Sequence, residues 1–290
     1  MISKSKDNHT IQLTGRALKW IACICMLADH TAKCFSLKGA SFFLLSDLTG
    51  RITFPIFCML LTEGFFHTRS RSRYILRVLL LALLSEIPFD LAIFHNICDW
   101  SAQNTCFTLA LGLLMFSVLE WIRSNPDRDY RLSSLLQIAA ILLFAAAAFL
   151  LHTDYQANGI AALTVFYLGC EGDRGRFSVS SRPPGNPAKD HCLPQIPFEQ
   201  EDNDPFTGFS KETENRPLSP TKRGTTAAAA CLCLNIYQFH NAGAFLSVLP
   251  LSLYNGQRGN ISRFGQYAFY LFYPLHLLLL QSIWQYLFFR

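Results

Sequence analysis

Charge is scarce in this 290-residue chain: Asp, Glu, Lys and Arg make up 16% of it, against 51% hydrophobic residues. A soluble domain of this size has about a quarter of its residues charged, so an ordinary soluble globular protein is excluded. No internal repeat of helix length is present, which leaves an inverted-repeat transporter architecture without support. Metal-ligand spacing is missing too, since Cys231-x-Cys233 does not match it, and no metal is expected. No small-residue cleavage site follows the first apolar run, which is therefore expected to remain as a signal anchor. The ten cysteines do not form a secreted disulfide framework: Cys23, Cys25, Cys58, Cys106, Cys231 and Cys233 lie in or against apolar runs, as packing residues do. Only Cys98 and Cys106, flanking one loop, have a spacing that would allow a bridge.

What the chain does have is a series of membrane-length apolar runs: Ala17–Phe35, Ser41–Phe66, Tyr74–Phe94, Thr105–Ile122 and Leu132–Leu151, each enough to cross a hydrocarbon core of about 30 Å as a helix. Tyr155–Leu168, Thr225–Phe239, Ala242–Tyr254 and Phe264–Phe288 follow. The expected fold is all-α: a polytopic transmembrane helix bundle of about nine spans (seven to ten) with a cytoplasmic N-terminus. It divides into a cytoplasmic segment 1–16, helices 1–6 within 17–170, a disordered cytoplasmic loop 171–224 rich in Pro, Gly, Ser and charge, and helices 7–9 within 225–290.

Orientation follows from the basic residues, which are retained on the cytoplasmic side. Alternating spans place Lys4, Lys6, Arg16 and Lys19, the Arg69–Arg77 cluster, Arg123, Arg128 and Arg131, the basic residues of 171–224, and Arg258 and Arg263 inside. Lys33, Lys38 and Arg290 remain outside, and Arg51 lies within a span. The net charge of +5 thus reports orientation, and no nucleic-acid partner is implied.

Several spans nevertheless carry ionisable groups: Asp29, His30, Arg51, Glu86, Asp90 and His276. Left unpaired, Asp29, Arg51, Glu86 and Asp90 together would cost about 10 kcal/mol. They must pair, neutralise or act. Counting along alternating helices puts Asp29, His30, Arg51, Glu86 and Asp90 in the outer half of the membrane, with Asp154 at the outer end of the fifth and sixth spans and His276 mid-helix in the last. Glu86 and Asp90 are spaced i, i+4 around Pro88 and share a helix face, with Arg51 the expected cation between them. Those three would equally serve as a structural ion pair. His30 points about 100° from Asp29 and must seek a partner on another helix; it suits general base chemistry or a plain hydrogen bond within the bundle. Arg69, Arg71, Arg73 and Arg77 fit either a positive-inside anchor or a cradle for the phosphates of a nucleotide-like donor. The turn Tyr254-Asn255-Gly256-Gln-Arg258-Gly259 adds a cation and two glycines that permit close approach of a ligand. Pro274 before His276 points to a shaped cavity.

Together these segments resemble the TraX family of membrane acetylases that modify the N-terminus of conjugative F-type pilin. The matching stretches are Leu18-Lys-Trp-Ile-Ala…Met-Leu-Ala-Asp29-His30, Gly50-Arg51-Ile-Thr-Phe-Pro55-Ile-Phe, Glu63-Gly-Phe-Phe-His67-Thr-Arg, Leu84-Ser-Glu86-Ile-Pro88-Phe-Asp90-Leu, Thr153-Asp154-Tyr155…Gly159, Tyr254-Asn255-Gly256-Gln-Arg258-Gly259 and Phe269-Tyr-Leu-Phe-Tyr-Pro274-Leu-His276. The departure is 171–224, where the family has a short connection. The resemblance implies transfer of an acetyl group from acetyl-CoA to an amino group in the bacterial inner membrane, with a pilin or another amine-bearing acceptor as partner.

On that expectation His30 is the general base, Asp29 and Asp154 are orienting or alternative bases, and His276 is a second base candidate. Arg51 stabilises an oxyanion or a carboxyl pair, and Glu86 and Asp90 position Arg51 or the acceptor ammonium. Arg69, Arg71, Arg73, Asn255 and Arg258 would hold the donor. The rival classes are a proton-coupled transporter relaying protons through the same groups, and a structural subunit whose charges only pair helices.

Overall fold

The computed structural model describes residues 12–125, 128–180, 220–236, 239–260 and 262–288. All regular secondary structure among them is helical; two isolated bridges, Leu13 to Tyr254 and Gln103 to Thr153, tie loops together. Helix α1 (Gly15–Cys34) is capped by the Thr14 hydroxyl, which accepts from the Ala17 amide. A second rod follows, made of α2 (Gly39–Phe42), a π-helical stretch Phe43–Thr49, a 3₁₀ turn Gly50–Ile52, and α3 (Thr53–His67). Next come α4 (Arg71–Ile93), α5 (Thr105–Arg123), α6 (Tyr130–Leu150) and α7 (Gln156–Ser180). The chain resumes with α8 (Pro220–Leu234), a 3₁₀ stretch Phe239–Ser247, α9 (Val248–Ser252) and α10 (Arg263–Phe288).

Three helical segments are long and apolar enough to cross a membrane by length and composition: Gly39–His67, Thr105–Arg123 and Tyr130–Leu150. Ala242–Ser252 is a shorter apolar helical segment. The lengths of α1, α4 and α10 also suffice, but these helices carry the charged, imidazole and phenol side chains of the site. Helix α7 continues to Ser180 and α8 starts at Pro220, so both ends of the expected loop 171–224 are helical. The rest of that loop, 181–219, lies outside the described residues, as do residues 1–11 of the expected cytoplasmic segment. Cys98 is exposed, Cys106 is buried, and both are free thiols rather than a bridge.

The bundle is apolar outside as well as inside, as a protein in lipid should be. Leu135, Leu142, Leu143 and Phe149 of α6 and Leu76, Leu80, Leu83 and Ile87 of α4 are exposed, while Phe54, Phe65, Phe116, Phe166 and Tyr167 pack the centre. With apolar tails competing for those surfaces, helices gain more from close backbone approach than from hydrophobic burial. Gly243 shows this most clearly: a Cβ there would fall onto the carbonyl oxygens of Asp47 and Leu48, so the 3₁₀ stretch lies directly on the π-helical one. Main-chain hydrogen bonds hold the two ends. Leu13, Gly15 and Arg16 donate to the carbonyls of Leu253, Gln257 and Arg258 at 2.8–3.0 Å, and Asn255 donates back to Leu13. At the other end Gln103 donates to His152 and Asp154 to Gln103.

Gly243→Ala is expected to lower stability by about 1–3 kcal/mol or more, because backbone oxygens cannot move aside as a side chain can. Thermal unfolding in detergent, with Ala244→Gly as a comparison lacking that clash, checks it.

Candidate functional site

A cavity of about 830 Å³ runs inside the bundle, with walls from α1, α3, α4 and α10 and the beginnings of α5 and α7. Its two ends differ in chemistry. Lys19, Arg69, Arg73, Arg77 and Arg258 line it near the start of α1 and the α3–α4 turn. Asp29, His30, Thr105, Asp154, Tyr155 and Tyr273 line it near the end of α1. From Lys19 to His30 is about 16–17 Å along α1, at about 1.5 Å per residue.

His30 Nδ1 lies 2.6 Å from His276 Nε2, and His276 Nδ1 lies 2.7 Å from the Phe272 carbonyl oxygen. That carbonyl can only accept, so the neutral His276 carries its proton on Nδ1 and offers the Nε2 lone pair. His30 must then donate from Nδ1, which leaves its Nε2 lone pair with no protein partner among the described residues. Tyr273 and Phe89 stand edge-on to the His30 ring, and Phe272 stacks on His276. Sequence spacing required only that His30 find a partner away from Asp29; the fold supplies the other histidine on its candidate list.

Asp29 is held by two donors, Ser46 Oγ at 2.5 Å to Oδ1 and Lys33 Nζ at 2.8 Å to Oδ2. Ser46 projects from the π-helical stretch, a rare conformation that is frequent at functional sites. Gly50, next along, leaves room for the Asp29 side chain: a Cβ there would sit 2.9 Å from Asp29 Cγ.

The expectation that Arg51 sits between Glu86 and Asp90 is corrected by the structure. Arg51 lies against Tyr155, with its guanidinium carbon 5.7 Å from the ring centroid and Nη1 3.5 Å from the hydroxyl. Among the described residues no ion pair joins it to either carboxyl. The cause is the change from π to 3₁₀ winding at Gly50–Ile52, which rotates Arg51 away from the direction regular 100° steps would give. Glu86 Oε2 instead accepts from the Asn104 side chain at 2.5 Å and its amide at 3.2 Å. Asp90 Oδ2 accepts from the Asp99 amide at 2.9 Å. Both carboxyls brace the corner between α4 and α5, away from the cavity lining. In that loop Asp99 is held below the ordinary carboxylate range by the hydroxyl and amide of Ser101.

Asp154 accepts from Thr105 Oγ1 at 2.5 Å and from the Tyr155 amide at 3.1 Å, and its carbonyl accepts from the Thr108 hydroxyl. Three residues of this connection have φ above zero: His152 at 50°, Tyr155 at 63° and Gln156 at 43°. Such backbone persists only where its surroundings impose it.

At the basic end, Arg69, Arg73 and Arg258 line the cavity as expected of donor-binding residues, but Arg71 and Asn255 do not. Arg71 pairs with Glu120 at 3.1 Å and lies over Phe65, drawn sideways by a half-buried carboxylate on α5. Asn255 is spent on its own turn, where its Oδ1 accepts from the Gln257 amide. Gly256 and Gly259, both near φ 75°, shape that turn. Sequence reasoning gave no site role to Lys19, Glu63 or Tyr155. Lys19 counted as an anchor, Arg77 belonged to the cluster expected to be an anchor or a phosphate cradle, and Glu63, whose Oε2 accepts from the Tyr254 hydroxyl at 2.7 Å, pairs across 191 residues of sequence. Among the described residues no group of His, Cys, Asp and Glu is placed to hold a metal ion.

Asn104→Ala would remove the cap of α5, whose side chain accepts from the Cys106 amide, leave the Ala82 carbonyl without its side-chain donor, and leave Glu86 only the main-chain amide of residue 104. A loss of about 2–4 kcal/mol is expected from a cap near 1 kcal/mol and a stranded polar group at about 1–3, measurable as denaturation in detergent.

No solved structure matches the chain. A Dichelobacter nodosus protein, described as probable fimbrial assembly protein FimC, serogroup H1, is 28% identical over 283 residues, covering 95% of this chain and 97% of the relative. The profile of the TraX family, described as TraX protein, matches residues 14–182, which carry α1 to α7 and with them Asp29, His30, Arg51 and Asp154. The chain belongs to the TraX family.

Proposed function

We propose that this protein is an integral membrane acetyltransferase that moves an acetyl group from acetyl-CoA to the N-terminal amine of a pilin subunit. The observation that carries the proposal is one cavity with arginines and a lysine at one end and His30, hydrogen-bonded to His276 behind it, at the other. The basic end suits the phosphates of coenzyme A, with Arg69, Arg73 and Arg258 as ligands and Lys19 and Arg77 beside them. The span of α1 between Lys19 and His30, about 16–17 Å, is comparable with an extended pantetheine arm and would bring a thioester to His30. Arg71 and Asn255 are not included, since both are engaged elsewhere.

By the distribution of basic residues the arginine end faces the cytoplasm, where acetyl-CoA is made, and about nine apolar runs (seven to ten) cross the bacterial inner membrane. The acceptor then enters at the His30 end. An α-amino group has a free pKa of about 7.7–8.0, within reach of an imidazole base. His30 Nε2 takes the proton as nitrogen attacks the thioester carbonyl, and His276, hydrogen-bonded behind it, steadies the imidazolium. Asp29 and Asp154, each bound by hydroxyl donors, set the geometry and a negative field that favours an ammonium. Arg51 contributes positive charge beside the developing oxyanion. The relative from Dichelobacter nodosus, named for fimbrial assembly, supports a pilus subunit as acceptor.

Membranes or purified protein given labelled acetyl-CoA and a mature pilin, or a peptide with its N-terminal sequence, should label the acceptor, and His30→Ala should abolish the label in correctly inserted protein. Arg73→Ala and Arg258→Ala should each raise KM for acetyl-CoA about tenfold to a hundredfold, the worth of one charge-assisted hydrogen bond, whereas Arg71→Ala should leave it nearly unchanged. Wild-type protein that labels no amine, yet carries protons with a solute into vesicles, would replace this function with transport.

A further inference from the structure

The strained connection between α6 and α7 brings Asp154 and Tyr155 to the cavity, and several independent contacts fix Tyr155 there. Its φ of 63° is unusual for a bulky residue. Main-chain hydrogen bonds from Gln103 hold the residues before it, and Thr105 and Thr108 hold Asp154. Its ring stacks on Phe54, with centroids 4.1 Å apart and planes 12° from parallel. Gly159 closes in from the next turn, where a Cβ would meet Tyr155 Cβ at 3.0 Å. The Arg51 guanidinium donates to the phenol oxygen at 3.5 Å, while Arg51 itself stays out of the cavity lining. The phenolic proton has no acceptor among the described residues. A hydroxyl that accepts from a cation and has its own proton to spare is a polarised donor aimed at a ligand.

We infer that Tyr155 is a catalytic residue that donates its hydroxyl hydrogen bond to the carbonyl oxygen of the acyl thioester, and that Arg51 acts through it as a positioning and polarising residue. The inference rests on the acetyltransferase proposal. As the acceptor nitrogen forms its bond to the carbonyl carbon, the carbonyl π pair moves onto oxygen, where the Tyr155 hydrogen bond strengthens. His30 Nε2 takes the proton from nitrogen. The oxyanion then re-forms the carbonyl, the carbon–sulfur bond breaks, and the thiolate leaves and recovers the proton from His30. Amine and thioester become amide and thiol, with no further reactant.

The test uses full-length protein in detergent and acetonyl-CoA, a ketone analogue that cannot transfer its acyl group. Infrared difference spectra of the isotope-labelled carbonyl should show a lowered stretching frequency when it is bound to the wild type. That shift should vanish in Tyr155→Phe, which keeps the ring on Phe54. The same variant should lose about 10²–10³ in kcat with KM for acetyl-CoA within about threefold of the wild type, the usual cost of one oxyanion donor. Adding Arg51→Gln to Tyr155→Phe should cost little more, because the two act in series. If Tyr155→Phe does not fold, 3,5-difluorotyrosine at position 155, a stronger donor of the same shape, should lower the stretch further. An analogue that binds with the same stretch in wild type and variant would overturn the role of Tyr155 and leave the transferase standing. A wild type that binds no acetonyl-CoA and transfers no acetyl group would overturn both.

Discussion

The carboxylate of Asp29 is where the demands of the membrane and of the chemistry meet. Buried in the bundle, it depends on the protein for its hydrogen bonds, and Ser46 and Lys33 supply one to each of its oxygens. Ser46 reaches it only because the second rod winds as a π-helix there, and the rod approaches closely only because Gly50 has no side chain. The π-helical stretch is in turn backed by the 3₁₀ stretch at Gly243. Winding, glycine placement and the contact with the later half of the chain thus all serve one satisfied charge beside His30.

The same logic sorts the other intramembrane polar groups into two sets. Glu86, Asp90 and Asn104 face one another and the loop before α5, so they spend their hydrogen-bonding capacity on holding α4 against α5. His30, His276, Asp154 and Tyr155 are also supported by protein, yet His30 keeps a nitrogen lone pair and Tyr155 keeps a proton for something else. A group braced on one side and open on the other is pre-organised: it loses little entropy when a ligand arrives and needs no rearrangement in the transition state.

Much of this was legible from the sequence. Low charge and membrane-length runs established a helical membrane protein, and the depth of the ionisable residues singled out Asp29, His30 and Asp154, all of which line the cavity. What misled was charge and depth taken without partners: Arg51 shared the outer half with Glu86 and Asp90 and was the expected cation between them, whereas the chain, wound as π and 3₁₀ turns there, sets it against Tyr155. Arg71 looked equivalent to Arg69 and Arg73, since a sequence cannot show that Glu120 waits beside it. Tyr155 went unnoticed because an aromatic at a helix boundary in a membrane protein is ordinarily an interfacial anchor.

The chain by itself determined class and which apolar runs carry ionisable groups, because hydrophobic run length acts locally and follows chain order. Tertiary structure alone decided which groups meet. The pairs His30 with His276, Tyr254 with Glu63, and Arg51 with Tyr155 lie 246, 191 and 104 residues apart. Hydrogen bonds need placement to within fractions of an ångström, which depends on helix register and crossing as well as on local winding.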